Sequence, residues 1–269
     1  MHEHILTGLT LIVVLGIGSQ WLAWRLKLPS ILLLLLAGFI AGPVCGILRP
    51  DALFKDLLEP VVSVSVAIIL FEGGLSLRYS ELKDAGRVMR NLVTIGVLVT
   101  WALSTVAAML LMQLPFTVAC LLGAILVVTG PTVVLPLLRH LRLKGRVNSI
   151  LKWEGIMNDP VGAALAVLVF EALLDHEAAT SIVVFGIVKT LVIGIGFSLI
   201  AAPALVFLLR RYWIPDHLQA VVTLASVIGV FTVSNHLQPE SGLLSVTLMG
   251  VILANQQSAQ IRHLVEFKE

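Results

Sequence analysis

Charged side chains are scarce in this chain of 269 residues. Asp, Glu, Lys and Arg make up 13% of it, whereas soluble globular domains contain roughly 25%. Hydrophobic residues make up 58%, and the mean hydropathy is +1.01. This composition excludes an ordinary soluble domain and predicts a protein embedded in a lipid bilayer. The net charge is only +2 and no basic stripe is present, which argues against a nucleic-acid partner.

Cysteine is nearly absent as well. Cys45 and Cys120 lie far apart in separate apolar stretches, so we predict that they pack in the protein rather than form a disulfide or a metal site. The seven histidines have no metal-binding spacing. No nucleophile–base pair or metal motif occurs, so we expect neither an enzyme nor a bound cofactor.

Long apolar runs fill most of the chain. They are continuous and do not alternate with polar residues, so they predict helices rather than barrel strands. The expected fold is an all-α polytopic membrane protein with about nine transmembrane helices. The predicted spans are residues 5–24, 28–48, 59–77, 91–113, 115–138, 148–174, 181–209, 217–235 and 243–256.

The distribution of Lys and Arg predicts the orientation. The loops after spans one, three, five and seven and the C-terminal tail together hold 14 Lys and Arg, and the loops on the other side hold only Arg49 and Lys55. Because cytoplasmic loops are enriched in Lys and Arg, we expect the N-terminus outside and the C-terminus in the cytoplasm. The membrane is expected to be a plasma membrane, of the bacterial or archaeal inner-membrane kind.

A weak internal repeat suggests how the chain is organised. The segment "LLLLLAGFIAGP" (32–43) resembles "LSVTLMGVILAN" (244–255), and the two predicted spans have opposite orientation, as inverted repeats require. Chance similarity between leucine-rich helices is the alternative. We predict one membrane transport domain over 1–269. Residues 1–174 would form the first repeat unit, and 175–269 a linker span and the start of a second unit that would continue beyond the chain.

Span six contains the polar segment "WEGIMNDPVGA" (153–163). Asp159 is expected about 16 Å into the membrane at 1.5 Å per residue, and a carboxylate at that depth is a candidate functional group. Gly155 and Asp159 form one stripe on the helix, and Glu154 and Asn158 form the next. Pro160 removes a helical hydrogen bond beside the carboxylate. A structural ion pair between Asp159 and Lys152 or Lys189 is the alternative.

Spans five and three each add polar groups. Thr129, Gly130 and Pro131 lie deep in span five and predict an unwound or broken helix, although a simple proline kink is the alternative. Glu72 in span three could reach the same region or could extend to the membrane interface. Together these groups offer hydroxyl, amide, carboxylate and carbonyl oxygens, which suit a small hard cation.

The motifs "TGPTVVLPLLR" and "ILKWEGIMNDPVGA" resemble those of the monovalent cation:proton antiporter family, of the sodium/proton exchanger type. The resemblance implies an inverted-repeat antiporter fold of thirteen spans, usually as a homodimer. It further implies Asp159 as the shared proton and cation ligand, Asn158 as its structural partner, Thr129 as a second cation ligand and Glu72 as a contributor. Many relatives have Asp where this chain has Gly130.

The predicted function is therefore exchange of a monovalent cation, Na⁺ first, for H⁺. Because Asn158 cannot titrate, the exchange is expected to be electroneutral. Potassium/proton exchange, coupled uptake of an organic anion, and a non-transporting membrane sensor or subunit are the alternatives. The chain resembles the N-terminal two-thirds of an antiporter, and we do not expect these 269 residues to transport alone.

Overall fold

The computed structural model describes residues 2–141, 145–174, 179–211 and 213–256. In these ranges the chain is helical and contains no strand. The α-helices are α1 (His2–Leu26), α2 (Ser30–Phe39), α3 (Pro50–Phe54), α4 (Leu58–Leu75), α5 (Leu82–Asn91), α6 (Val97–Met112), α7 (Phe116–Ile125), α8 (Pro131–Leu141), α9 (Arg146–Leu174), α10 (Ala179–Arg210), α11 (Asp216–Leu237) and α12 (Ser241–Ala254). The all-α prediction is confirmed.

Each of the nine predicted spans contains helix, but the helices differ in length. Within the described ranges, five are long and apolar enough to cross a membrane: Leu6–Leu26, Gly86–Met112, Arg146–Leu174, Phe185–Arg210 and Asp216–Leu237. Ser30–Val44, Phe116–Ile125 and Ser241–Ala254 are shorter apolar helices. The fourth span begins earlier than predicted, because α5 continues into α6 through a π-helical segment, Leu92–Gly96.

The chain forms two compact units. The first consists of residues 1–65 and 132–143, and the second of residues 66–131 and 144–269. In the first unit α1 packs against α2, and Gly8 of α1 lies against Leu53, whose Cδ1 is 2.6 Å from the position of an added Cβ. The two units are defined by packing contacts. They do not test the predicted repeat units, which stay a prediction.

The second unit has two apolar cores. The larger lies between α4, α10, α11 and α12. Its fully buried members include Leu70, Ala202, Val227, Val246 and Met249. The smaller lies between α6, α7 and α9, where Val97, Ala124, Val127, Leu165 and Val169 are buried together. The smaller core holds the polar segment of α9 beside the end of α7.

α4 and α12 touch backbone to backbone where Gly74 faces Gly250. A Cβ on Gly250 would overlap the carbonyl oxygen of Phe71, and a Cβ on Gly74 would overlap that of Thr247. Glycine is thus required on both helices at this crossing, because any side chain would force the helices apart.

Glu240, between α11 and α12, gives a pH-dependent stability prediction. It is half-buried with φ +64°, and burial raises the pKa of its carboxyl above the ordinary value of 4.5. Because the fold favours the neutral carboxyl group, the contribution of Glu240 to the free energy of unfolding is complete at a pH below the ordinary pKa. That contribution is lost as the pH rises through the raised pKa. Glu240→Gln should therefore show a smaller fall in thermal stability than the wild type between acid and neutral pH. Equal pH profiles for the two proteins would contradict this account.

Candidate cation site

The fifth predicted span is interrupted at the site. α7 ends at Ile125, residues 126–130 are not helical, and α8 begins at Pro131. Proline has no N–H to donate and disfavours helical geometry in the residue before it, but it is tolerated at the first position of a helix. The interruption leaves backbone carbonyls such as that of Val127 without helical partners, so they are free to accept other hydrogen bonds.

Asn158 of α9 ties this interruption to the helix that carries the acids. Its side chain is 5% exposed, and Nδ2 donates to the carbonyl of Val127 over 2.8 Å. The same nitrogen lies 3.3 Å from Thr129 Oγ1 and 3.4 Å from Glu154 Oε1. Thr129 Oγ1 in turn donates to Glu154 Oε1 over 3.1 Å. Thr129, Glu154 and Asn158 therefore form one hydrogen-bonded group, while Asn158 Oδ1 is buried without a hydrogen-bond partner among the described residues.

Asp159 is half-buried and stands next to this group. Within the part of the chain that the structure describes, its carboxylate has neither a hydrogen bond nor an ion pair. The alternative of an ion pair with Lys152 is wrong, because Lys152 Nζ binds Glu81 Oε1 at 2.7 Å and the carbonyl of Ser76 at 3.0 Å. Both carboxylate oxygens of Asp159 are therefore without a protein partner among the described residues.

The other predicted site residues lie on α9, at the interruption and on α4. Gly155 and Pro160 are buried in α9, which runs unbroken through Pro160. Gly130 is half-buried at the interruption. Glu72 is exposed on α4, next to Gly73, whose added Cβ would lie 3.5 Å from Ile156 Cγ1. A role for Glu72 at the site stays a prediction.

The groups beside the interruption present oxygen atoms, the ligands that hard cations prefer. No group of three His, Cys, Asp or Glu residues within the described ranges could hold a metal ion. The candidate cation ligands are the oxygens of the Asp159 carboxylate, the Thr129 hydroxyl and the backbone carbonyls of the interruption.

Sequence reasoning missed the contacts made near the N-terminal end of α9. Tyr79 stacks on Trp153, with ring centroids 6.5 Å apart. Asn255, just after α12, accepts from the N–H of Tyr79 over 2.6 Å and donates to the carbonyl of Leu77 over 2.9 Å. The available signal was Asn255 itself, a polar residue that directly follows an apolar span.

Asn158→Ala should destabilise the protein by about 1–3 kcal/mol, because it leaves the carbonyl of Val127 without its donor. Thermal unfolding in detergent would measure this. Thr129→Val should lower the free energy of unfolding less when residue 158 is already Ala than in the wild type, because both residues belong to one hydrogen-bonded group. Asn91→Ala, at an exposed site, is the control and should change stability little. Equal losses of stability in Asn91→Ala and Asn158→Ala would contradict the hydrogen bonds assigned to Asn158.

Comparison with known proteins identifies the family of this chain. The profile of the family "Sodium/hydrogen exchanger, transmembrane" matches residues 9–267. The K⁺/H⁺ antiporter NhaP of Alkalimonas amylolytica is 28% identical over 269 residues, which cover 96% of this chain and 46% of the relative. The Na⁺/H⁺ antiporter 1 of Methanocaldococcus jannaschii is 35% identical over 156 residues, which cover 57% of this chain and 36% of the relative. These relatives are transporters rather than enzymes.

A solved structure shows the same fold. The sodium proton antiporter MjNhaP1 of Methanocaldococcus jannaschii, determined at pH 8, superposes with a TM-score of 0.81 at 25% identity and covers 98% of this chain and 65% of that one. The chain spans less than half the length of the curated relatives it matches. The family profile, the relatives and the shared fold together show that this chain belongs to the sodium/hydrogen exchanger family of transmembrane proteins.

Proposed function

We propose that this chain carries the exchange site of a monovalent cation:proton antiporter, with Asp159 as the group that binds either ion. One observation carries the proposal: Asp159 has no protein counter-charge among the described residues, although Lys152 lies on the same helix. A half-buried carboxylate inside a membrane is costly, so it needs an ion or a proton from outside.

The mechanism is competition for one carboxylate. A proton or a cation neutralises Asp159, but the two cannot bind together. The neutral site can then move past the membrane barrier, whereas the bare carboxylate makes that movement costly. Exchange results because each ion leaves on the side where the other is abundant.

The neighbouring groups would divide the remaining work. Thr129 offers its hydroxyl oxygen to the cation as a second ligand. Asn158 holds the interruption of the fifth span against α9 and thereby fixes Thr129 beside the acids. Glu154 accepts from both of these side chains and acts as a structural acid, and Glu72 would contribute from α4.

Sodium is the proposed cation, and potassium is the second candidate. The relative NhaP is named a K⁺/H⁺ antiporter, whereas MjNhaP1 is named a sodium proton antiporter. Proteoliposomes with a pH-sensitive dye would decide between them, using the longest natural polypeptide that contains these residues. Dye recovery on addition of Na⁺ but not K⁺ would support sodium, and the reverse would support potassium. We further propose a homodimer in a plasma membrane, with the N-terminus outside and the C-terminus in the cytoplasm.

The exchange should be electroneutral. Asn158 occupies the position next to Asp159, and an amide does not titrate, so one proton exchanges for one monovalent cation. Each elementary charge moved would feel about 2.3 kcal/mol per 100 mV, and this cycle moves none. Exchange rates in proteoliposomes should therefore be equal with and without an imposed potential. A steady current that reverses with the cation gradient would show that a second acid, such as Glu72, takes part.

A further inference from the structure

The helix that carries Asp159 also carries an ion pair. Lys152 of α9 pairs with Glu81, the last residue of the 3₁₀ turn Tyr79–Glu81 between α4 and α5. Lys152 Nζ lies 2.7 Å from Glu81 Oε1 and donates to the carbonyl of Ser76 over 3.0 Å. The two charged side chains are only 14% and 23% exposed, so solvent ions screen them in part. This pair has no part in the exchange cycle derived above.

The position of Lys152 relates the pair to the cation site. Seven residues separate it from Asp159, which correspond to about 10.5 Å of helix at 1.5 Å per residue and to nearly two full turns. The two residues therefore lie on the same side of α9. Helical side chains tilt toward the N-terminus, and the contacts of Lys152 with the turn after α4 hold its ammonium group there. The positive charge is thus held away from the carboxylate.

An unpaired ammonium group at this distance would act on the cation site. Two unit charges about 10.5 Å apart change a binding constant by roughly tenfold at an effective dielectric constant of about 20. The charge of Lys152 would repel a cation bound to Asp159 and would stabilise the empty carboxylate. Glu81 cancels most of this effect, because its negative charge lies beside the ammonium group.

Lys152 depends on Glu81 for its counter-charge. Glu154, the acid closest to Lys152 in the sequence, instead accepts from Thr129 and Asn158. The other oxygen of the Glu81 carboxylate, Oε2, is buried and has no hydrogen-bond partner among the described residues. The pairing with Lys152 is therefore the interaction that the structure shows for this carboxylate, and removing either charge leaves the other uncompensated.

We propose that Glu81 is a positioning residue of the exchange site. It holds and neutralises Lys152, and this prevents the lysine from opposing the transported cation at Asp159. Glu81 itself touches neither the cation nor the proton. The proposal rests on the proposed function of Asp159, and adds to it a determinant of cation affinity that lies outside the site.

Opposite shifts in cation affinity test the proposal. Exchange would be measured in proteoliposomes with the longest natural polypeptide that contains these residues, at an alkaline pH where protons compete least with the cation. Glu81→Gln should raise the half-saturating cation concentration by up to about tenfold, and Lys152→Met should lower it by a similar factor. The double variant should return close to the wild type, because both charges are then absent. Structural damage alone would lower the maximal rate of both single variants without opposite shifts in half-saturation.

The control is Glu59→Gln, the same chemical change at an exposed residue in the first turn of α4, and it should leave half-saturation unchanged. If Glu81→Gln does not fold, the lowered half-saturating concentration of Lys152→Met decides alone. Unchanged half-saturation, or shifts of the same sign in both single variants, would overturn the proposal. The proposed function would then still stand if the wild type exchanges ions and Asp159→Asn does not. Absence of exchange by the wild type would overturn both.

Discussion

Asp159→Asn should abolish cation-dependent proton movement while the protein still inserts and folds. The amide has nearly the shape of the carboxylate but can neither titrate nor neutralise a cation. Because Asp159 has no ion pair or hydrogen bond within the described ranges, the substitution breaks no contact there. Dye quenching in proteoliposomes that contain the longest natural polypeptide with these residues would measure the loss.

The matched control is Asp51→Asn, the same chemical change at an exposed residue of α3. Its exchange activity should equal that of the wild type. Circular dichroism and gel filtration of both variants would verify folding. Near wild-type exchange by Asp159→Asn would remove this residue from the mechanism.

Gly250→Ala should destabilise the protein by about 3 kcal/mol, the upper end of the usual cost of overpacking. The new methyl group would overlap the backbone carbonyl of Phe71, and the N–H nitrogen of Leu75 lies 3.0 Å from the same position. Backbone atoms cannot rotate away as a side chain can, so α4 and α12 must separate. Thermal unfolding in detergent would report the loss.

Gly229→Ala is the control for this prediction. Gly229 lies on α11, also within a helix, but no atom of the described residues lies within 4 Å of its added Cβ. Alanine there should stabilise the protein by up to about 1 kcal/mol through helix propensity. If both substitutions shifted the unfolding temperature upward, the close crossing of α4 and α12 would be refuted.

The sequence was sufficient for features that depend on local chemistry. Continuous apolar runs predicted the helices, and the Gly130-Pro131 pair predicted an interruption at the place where α7 and α8 are separate. The helical spacing of Glu154 and Asn158 predicted that they share a face, and both bond to Thr129. Each of these features arises from residues close together in the chain.

Features that depend on distant partners were not predictable. Lys152 lies seven residues before Asp159 and shares its side of the helix, so an ion pair between them was reasonable. The turn after α4 instead brings Glu81 to Lys152, across 71 residues of sequence. No local sequence pattern predicts the contact between Glu81 and Lys152. The two hydrogen bonds of Asn255 are equally hidden from local patterns. The π segment before α6 also has no signature in hydropathy.

The contacts of Asn255 also set an order of events during synthesis. The turn at Leu77 and Tyr79 is translated 176–178 residues before the side chain that holds it. At about 5–20 residues per second, the ribosome needs roughly 9–35 s to cover that distance. Until then the C-terminal end of α4 lacks this support, although Lys152 and Trp153 have already been made. The nascent chain should therefore gain full resistance to protease at this turn only after α12 has entered the membrane.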